Sequence, residues 1–410
     1  MSTLQAAPSS FLVTVRGQDA PGIAERLFAA LGARGVAVDD VEQVRVHGRL
    51  LLCAEVRLAP DDAHDGEAAR VALRDEVGAA LDGARVDVAV DPLGASVEDE
   101  PGDRHLVTLL APTVDAGALE GVTGCVARCG GNIERIVRLA SYPVHSYELS
   151  VTGPDLGALR RALAQEAVRL QVDLAVQPAG LHRRAKHLIV MDADSTLLQG
   201  EVVDLLAERG GCGPAVAAVT AAAMAGELDF ADALRERVRL LAGLTKADLE
   251  AVRAGMLLAP GARTLVRTLK RLGYELAVVS GGFTQVIGPL VRELGIDHLA
   301  ANVLALENGL VTGELEGPIL DRAGKANALR RFAQAAGVPL ARTIAVGDGA
   351  NDIDMLAAAG LGIAFNAKPL VREAADTALS VPYLDAILFL LGISRGEVEH
   401  ADRLETEAAS

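Results

Sequence analysis

The sequence has few cysteines and no long apolar run, and each of these shortages excludes a class of protein. No stretch reaches the ~18 consecutive apolar residues that a membrane span needs. The most apolar stretch, 386–393, has the length of a helix core. Cys125 and Cys129 share a helix face by spacing, but no second Cys/His pair completes a zinc site. Residues 1–10 lack the basic and apolar regions of a secretory signal. We therefore expect a cytoplasmic protein that does not enter a membrane.

Basic residues are also in short supply. The chain has 39 Lys and Arg against 55 Asp and Glu, which gives a formal charge of −16. A surface of this sign repels phosphate backbones, and no basic block alternates with aromatic residues, so we expect no nucleic-acid partner. An acidic protein that binds a phosphorylated substrate needs a local cation. The charge therefore favours a metal ion at any phosphate site.

The length of 410 residues predicts two or three domains. A weak internal duplication occupies the N-terminal part of the chain. Residues 11–90 and residues 105–177 each follow the order strand, helix, strand, strand, helix, strand. The acidic segment 91–103, rich in Gly and Pro, separates the two copies.

Both copies resemble ACT domains, small ferredoxin-like modules that commonly bind amino acids and pair side by side. The first copy carries that family's first turn as Gly17-x-Asp19-x-Pro-Gly-Ile23, whereas the second has Ala111-Pro112 there. The resemblance implies a serine effector near Gly17 and Asp19 and a homodimer or higher homo-oligomer. A structural or dimerising role without any ligand is the alternative.

Strands alternate with helices from residue 187 onward, which predicts an α/β domain with a doubly wound parallel sheet. The apolar run 187–191 has the character of a central strand. A long helical pattern at 202–256 lies between the first two strands and predicts a cap. Residues 304–313 predict a hairpin with a type I′ turn at Asn308-Gly309. The predicted domains are 1–95, 100–180 and 185–395, with a helical cap at about 200–258 and a polar, mobile tail at 396–410.

Four short segments of this domain carry reactive side chains. Three of them follow predicted strands, at the carboxyl ends where open α/β sheets bind ligands. They are Asp192-Ala-Asp194-Ser-Thr196, Ser280-Gly281-Gly-Phe, Lys325, and Gly347-Asp348-Gly-Ala-Asn351-Asp352.

The carboxylates of these segments suit phosphoryl transfer. Asp192 is ionised at neutral pH, since a free Asp has a pKa of ~3.9, and it needs no base to act as a nucleophile. Asp348 and Asp192 together offer the hard oxygen ligands that Mg²⁺ prefers. Asp194 is placed to act as general acid and then as base, because crowded carboxylates have raised pKa values.

The remaining groups suit an anion. Ser280 offers a hydroxyl donor and Lys325 a positive charge for the phosphoryl oxygens. The glycines at 281 and 282 let backbone N–H groups approach closely.

The order of these segments is similar to that of haloacid-dehalogenase-like phosphatases. Over about 187–392 the detail resembles the phosphoserine phosphatases, including Glu201 after the first motif and the cap pattern 224–238. Two ACT-like units before such a domain resemble the long bacterial form of that family.

This resemblance implies a role for each matching residue. Asp192 is the nucleophile and Asp194 the acid/base, while Ser280, Gly281 and Lys325 hold phosphate. Mg²⁺ is bound by Asp192, Asp348 and the backbone carbonyl of Asp194, with the Asp352 carboxylate beside it. The implied substrate contacts are Glu201 to the ammonium, Arg237 to the carboxylate, Asn351 on the leaving side, and Met224 and Phe230 lining the cap.

The cap residues can also be interpreted from their chemistry. A guanidinium binds a carboxylate with two hydrogen bonds, and a Glu accepts from an ammonium, so Arg237 and Glu201 suit a zwitterion. The residues three and four positions from Arg237 are Ala or Leu, which leaves no acidic partner within its helix. Met224 and Phe230 could equally be core residues between cap helices.

The sequence therefore predicts Mg²⁺-dependent hydrolysis of L-O-phosphoserine through a phosphoaspartate, the last step of serine synthesis. A related phosphatase for phosphothreonine, phosphohomoserine or a phosphoprotein is one alternative. An amino-acid-sensing protein with an inert phosphatase domain is another. Ion-pumping ATPases share the phosphoaspartate, but they need membrane spans. Phosphonatases and dehalogenases usually lack the second Asp of the first motif.

Overall fold

A computed structural model describes residues 10–58, 66–93, 104–180, 187–225 and 227–408, and for residues 224 and 408 the backbone alone. Residues 181–186 and most of the acidic linker at 91–103 lie outside the described residues. The chain forms two compact units, Met1–Pro101 and Gly102–Ser410.

The first unit has the predicted βαββαβ order. Its four strands form one sheet in the order β2-β3-β1-β4, and two helices cover one face. Ile23, Leu27 and Leu31 from one helix pack with the apolar residues of β1, as their spacing predicts. The edge strand β2 is exposed over its whole length. The elements are β1 Ser10–Gln18, helix Ile23–Ala33, β2 Ala37–Val46, β3 Arg49–Arg57, helix Gly66–Ala80 and β4 Val86–Pro92.

The second unit begins with the second βαββαβ module, whose sheet has the order β6-β7-β5-β8. One face carries the two helices of the module, which pack on Val107, Leu109 and Leu149. The elements are β5 Arg104–Ala111, helix Ala116–Arg128, β6 Asn132–Ala140, β7 His145–Thr152, helix Leu156–Leu170 and β8 Asp173–Pro178.

The other face of this sheet packs against the C-terminal domain. Leu110 and Val144 share one apolar cluster with that domain. Asp173 Oδ2 accepts a hydrogen bond from the Ser380 backbone N–H at 2.6 Å, and Gln177 Nε2 donates to the Leu390 carbonyl at 2.9 Å. The second module is therefore joined to the C-terminal domain by core packing as well as by the chain.

The C-terminal domain is the predicted α/β domain. Its seven strands have the order β12-β11-β10-β9-β13-β14-β15, and all neighbours are parallel except the β11–β12 hairpin. The strands are β9 Leu188–Asp192, β10 Glu275–Phe283, β11 His298–Glu307, β12 Leu310–Glu316, β13 Thr343–Gly347, β14 Gly362–Phe365 and β15 Thr377–Leu379. Every residue of β9 is buried, as expected for the central strand.

Helices cover both faces of this sheet, and four of them form the predicted cap between β9 and β10. The cap helices are Val202–Arg209, Gly213–Met224, Phe230–Leu240 and Lys246–Gly255. The others are Ala262–Arg271, Thr284–Glu293, Arg322–Ala335, Ile353–Ala358, Pro369–Ala374, Ile387–Leu390 and Arg395–Ala408. Within the described residues, no helix is both long and apolar enough to cross a membrane.

Two local predictions have different outcomes. The hairpin turn is confirmed, because Asn308 and Gly309 both have positive φ, at 52° and 83°. The expectation of a mobile tail at 396–410 is wrong for most of that segment, which forms the helix Arg395–Ala408. Val398 is buried, and Arg271 pairs with Asp402 and Glu405 of this helix. The polar composition of this segment therefore did not indicate that it forms a helix packed on the domain.

Candidate active site

The predicted catalytic segments come together at one edge of the C-terminal sheet. Asp192 ends β9, Ser280 lies in β10 and Asp348 follows β13, and these three strands are adjacent. A pocket of about 80 Å³ opens between this edge and the cap. It is lined by Asp192, Asp194, Glu201, Val203, Phe230, Leu234, Arg237, Gly281, Gly282, Lys325, Asp348, Gly349 and Asn351.

Lys325 connects two carboxylates at the floor of the pocket. Its Nζ donates to Asp192 Oδ1 and to Asp352 Oδ1, both at 2.7 Å, and the Lys325 side chain is fully buried. Burial disfavours the ammonium, but the two carboxylates outweigh it and raise the pKa of Lys325. Burial and the neighbouring carboxylates of Asp352 and Asp194 also raise the pKa of Asp192, against the opposing effect of Lys325. Lys325 holds one of the two Asp192 oxygens, and Asp192 lines the pocket.

Asp194 lies on a sharp turn that follows β9. The turn places Ser195 in the left-handed region, at φ 56°. Asp194 Oδ1 accepts from the Val202 backbone N–H at 2.7 Å, and its Oδ2 accepts from Ser280 Oγ at 2.9 Å. Burial raises the pKa of Asp194, although these hydrogen bonds act in the opposite direction. A carboxyl group with a raised pKa next to the nucleophile can hold and release a proton.

Three carboxylates form a candidate metal centre. Oxygens of Asp192, Asp348 and Asp352 lie within 4.8 Å of one another. Thr196 Oγ1 donates to Asp348 Oδ1 at 3.1 Å, and burial together with Asp352 raises the pKa of Asp348 to about 6. Hard oxygen donors in mutual repulsion fit a divalent cation such as Mg²⁺. Both Asp352 oxygens also accept hydrogen bonds, from Lys325 and from the Gly349 N–H. The place of Asp352 beside the metal ligands stays a prediction.

Gly347 permits this crowding of acids. A Cβ at this position would lie 2.5 Å from Asp352 Cγ and 2.5 Å from its Oδ2. Since real Cβ atoms do not approach so closely, a side chain here would displace Asp352 and the Lys325 contact.

The cap brings a cation to the pocket. Arg237 lies on the helix Phe230–Leu240, and its Nε is buried without a hydrogen-bond partner among the described residues. A buried, unpaired guanidinium N–H is costly unless a ligand satisfies it. The prediction that Arg237 has no acidic partner within its own helix is consistent with this contact pattern.

Glu201 lies at the rim of the same pocket. Its residue surface is exposed, but its carboxylate is partly enclosed and accepts a hydrogen bond from Ser195 Oγ at 3.3 Å. Partial burial and the carboxylates of Asp194 and Asp348 raise the pKa of Glu201 to about 7. Phe230 forms part of the wall, while the side chain of Met224 lies outside the described residues.

The match to known proteins covers nearly the whole chain. A haloacid dehalogenase-like hydrolase model matches residues 189–357, and ACT domain models match residues 9–72 and 103–177. Phosphoserine phosphatase of Streptomyces coelicolor is 52% identical over 397 residues, covering 96% of this chain and 95% of that protein. Phosphoserine phosphatase SerB2 of Mycobacterium tuberculosis is 50% identical and covers 97% of this chain and 96% of that protein. The chain belongs to the phosphoserine phosphatase family.

A solved structure agrees with this membership. The unliganded crystal structure of a probable phosphoserine phosphatase from Vibrio cholerae is 31% identical, with a TM-score of 0.56. It covers 72% of this chain and 88% of that one. The family membership, the haloacid-dehalogenase-like fold and the two ACT domains predicted from the sequence are thus confirmed.

Sequence reasoning missed two polar residues beside this phosphatase site. Thr196 belongs to the first motif, where no role was expected for it, and its hydroxyl donates to Asp348 Oδ1. Asn302 is a buried amide that bonds the Gly281 carbonyl. Its signal in the sequence is a polar residue within the otherwise largely apolar strand β11.

The residues predicted for an effector have structural contacts in the first ACT domain. Asp19 pairs with Arg45 at 2.7 Å, and a Cβ on Gly17 would lie 2.2 Å from the Arg85 carbonyl oxygen. These contacts shape the turn after β1. An effector at this turn stays a prediction.

Proposed function

We propose that the chain hydrolyses L-O-phosphoserine to serine and phosphate through a covalent phosphoaspartate on Asp192. The proposal rests on one pocket that holds Asp192 and Lys325 at its floor and, in its cap, Arg237, whose Nε has no hydrogen-bond partner among the described residues. The names of the relatives that match nearly the whole chain support the same substrate. In metabolism this reaction is the last step of serine synthesis.

In the first step, a carboxylate oxygen of Asp192 attacks phosphorus. The bond between phosphorus and the serine oxygen breaks, and Asp194 gives its proton to that oxygen. The Ser280 hydroxyl, which donates to Asp194 Oδ2, turns to a phosphoryl oxygen when substrate binds. Lys325 and the backbone N–H groups of Gly281 and Gly282 hold the remaining oxygens.

In the second step, a water molecule attacks the phosphorus of the phosphoaspartate. Asp194, now ionised, takes a proton from that water, and the bond between phosphorus and the Asp192 oxygen breaks. Inorganic phosphate leaves and Asp192 is regenerated as a carboxylate.

The acidic cluster fits Mg²⁺ as the cofactor. Asp192, Asp348 and the backbone carbonyl of Asp194 would hold the ion, and Asp352 would lie beside it. When bound, the ion offsets the repulsion between the phosphate dianion and the carboxylates and polarises the phosphoryl group.

The cap selects the amino-acid part of the substrate. Arg237 would bind the carboxylate, Glu201 the ammonium, and Phe230 and Met224 would line the wall, with Asn351 on the leaving side. A site built for these charges disfavours substrates that lack them by up to ~10⁴-fold. In a phosphopeptide, the amine and carboxyl groups of the serine form neutral peptide bonds. Phosphopeptides would therefore be poor substrates.

Regulation is the second part of the proposal. Serine would bind between ACT domains of two subunits in a homodimer or higher homo-oligomer, near Gly17 and Asp19, and feed back on activity. The two copies of the ACT domain support this.

The substrate is tested by phosphate release from L-O-phosphoserine, phosphothreonine, phosphohomoserine and a phosphopeptide, with Mg²⁺ and with excess chelator. Strong preference for phosphoserine, lost with chelator, is the expected result. Preference for another ester would keep the mechanism and reject the cap assignments. Folded protein that releases phosphate from none of them would indicate a sensor.

A further inference from the structure

The ladder between β10 and β11 is interrupted where the phosphate pocket begins. Ser280 is in register with Ala301, but the next pair is Phe283 with Asn302. Gly281 and Gly282 are therefore looped out of the ladder, and both line the pocket. Looped-out backbone groups lose their strand partners, and a buried carbonyl without a partner is costly.

The side chain of Asn302 takes the place of the missing strand partner. Its Nδ2 donates to the Gly281 carbonyl at 2.8 Å, and its Oδ1 accepts from the Leu320 N–H at 2.8 Å. Asn302 is buried, with 2% of its surface exposed. The orientation of its amide is fixed by chemistry, because a carbonyl can only accept and a backbone N–H can only donate.

Leu320, the second partner of the Asn302 amide, lies just before the helix that carries Lys325. Leu320 precedes Asp321, whose carboxylate caps the helix Arg322–Ala335 by accepting from the Gly324 N–H at 2.7 Å. Lys325 lies in the first turns of that helix, with its Nζ on Asp192. One amide thus joins the loop of Gly281 to the segment that positions Lys325.

We propose that Asn302 is a positioning residue that sets the spacing between the Gly281 loop and Lys325, and thereby the affinity of the pocket for phosphate. It acts through these two elements and does not contact the substrate. The inference rests on the proposed function in one respect, namely that the pocket binds a phosphoryl group.

A nearby amide provides a matched control. Gln285 Nε2 donates to the Leu304 carbonyl at 2.7 Å, and its Oε1 accepts from the Leu304 N–H at 3.2 Å. Gln285 therefore bridges backbone groups of β11 as Asn302 bridges its partners, but it contacts no residue of the phosphate pocket among the described hydrogen bonds.

The test compares Asn302→Asp with Gln285→Glu in the full chain. Each change replaces an amide donor by a carboxylate of the same shape, which repels the carbonyl it faced. For Asn302→Asp we expect kcat/KM for phosphoserine to fall roughly 10- to 100-fold, as for a small misplacement of binding groups. The inhibition constant of inorganic phosphate should rise by a similar factor. Gln285→Glu should leave that constant within about twofold.

Several outcomes would overturn the inference. One is an unchanged phosphate inhibition constant in folded Asn302→Asp, and another is an equal rise in Gln285→Glu. If Asn302→Asp does not fold, Asn302→Ala is measured by the same criteria, since it removes the amide without adding charge. A wild-type chain that hydrolyses no phosphoester would reject the proposed function instead, and calorimetric binding of inorganic phosphate to Asn302→Asp and wild type would still decide the role of Asn302.

Discussion

The floor and the cap of the pocket differ in how far protein partners satisfy their polar groups. At the floor, Asp192, Asp194, Ser280 and Lys325 are buried and hydrogen-bonded to one another or to backbone groups. In the cap, Glu201 is exposed at the rim and the Arg237 Nε is buried without a partner among the described residues. The floor is a preorganised network, whereas the cap has hydrogen-bonding capacity left for a ligand.

This difference separates chemistry from selection. Preorganised charges at strand ends stabilise a reaction without reorganising, so changes there should lower kcat for every ester. Unsatisfied groups in the cap gain a partner when substrate binds, so changes there should act mainly on KM for the ester that supplies the partner.

The largest effect is expected at the floor, from Asp192→Asn. The amide cannot act as the nucleophile, and uncatalysed hydrolysis of phosphate monoesters is slower by factors of up to ~10²¹, so no turnover should remain detectable. Phosphate release from phosphoserine is the measurement, with circular dichroism to verify folding. Asp232→Asn on the surface of the cap, where Asp232 pairs with Arg235, is the control and should keep its activity. Residual turnover in Asp192→Asn would reject the floor as the origin of the chemistry.

Removal of the metal should also act on the floor. With excess chelator, turnover should fall by roughly 100-fold or more and return when Mg²⁺ is added, because the phosphate dianion then meets uncompensated carboxylates. A second readout is independent of turnover. Mg²⁺ should raise the Tm of the wild type, since it binds the folded cluster, and should raise it much less in Asp348→Asn. Equal shifts in both proteins would remove Asp348 from the metal site.

A smaller effect is expected in the cap, from Arg237→Lys. An ammonium keeps the charge but loses the two-pronged contact, so KM for phosphoserine should rise roughly tenfold with little change in kcat. Arg235→Lys on the same helix is the matched control, because Arg235 is exposed and paired with Asp232 at 2.8 Å. An unchanged KM, or a fall in kcat alone, would place Arg237 outside substrate recognition and weaken the contrast between floor and cap.

The smallest effect on catalysis is expected from removing residues 1–101, the first compact unit. Basal kcat/KM should stay within about a factor of two, because the described floor and cap residues all belong to the second unit. Inhibition by serine, measured at saturating phosphoserine, should be lost. Serine inhibition that persists in the shortened chain would move the effector site away from the first ACT domain.

Much of this contrast could be predicted from the sequence, because short local patterns identify the residues of both the floor and the cap. Asp192, Ser280 and Asp348 follow or end apolar runs, and parallel strands bring their carboxyl ends together. The lack of acidic neighbours around Arg237 is likewise a local property of one helix.

Long-range contacts were beyond such reasoning. Asn302 and Leu320 are 18 residues apart, and their bond depends on a register shift that no periodicity reveals. The packing of Leu110 and Val144 on the C-terminal domain is also non-local. The apolar composition of β5 predicts that the strand is buried on both faces, but it does not show what covers the second face. The helix Arg395–Ala408 is held by pairs with Arg271, which lies more than a hundred residues earlier. Its polar sequence gave no sign of that partner.

The central claim is that the floor carries out covalent chemistry on the ester that the cap admits. The most direct measurement is acid quenching of a reaction with ³²P-labelled L-O-phosphoserine, followed by mapping of the labelled peptide. The predicted result is label on the peptide that contains Asp192. This label should be absent in Asp192→Asn, and it should decrease when unlabelled phosphoserine, but not a phosphopeptide, competes during the reaction. Steady turnover with no trapped label, or label on another residue, would contradict the account.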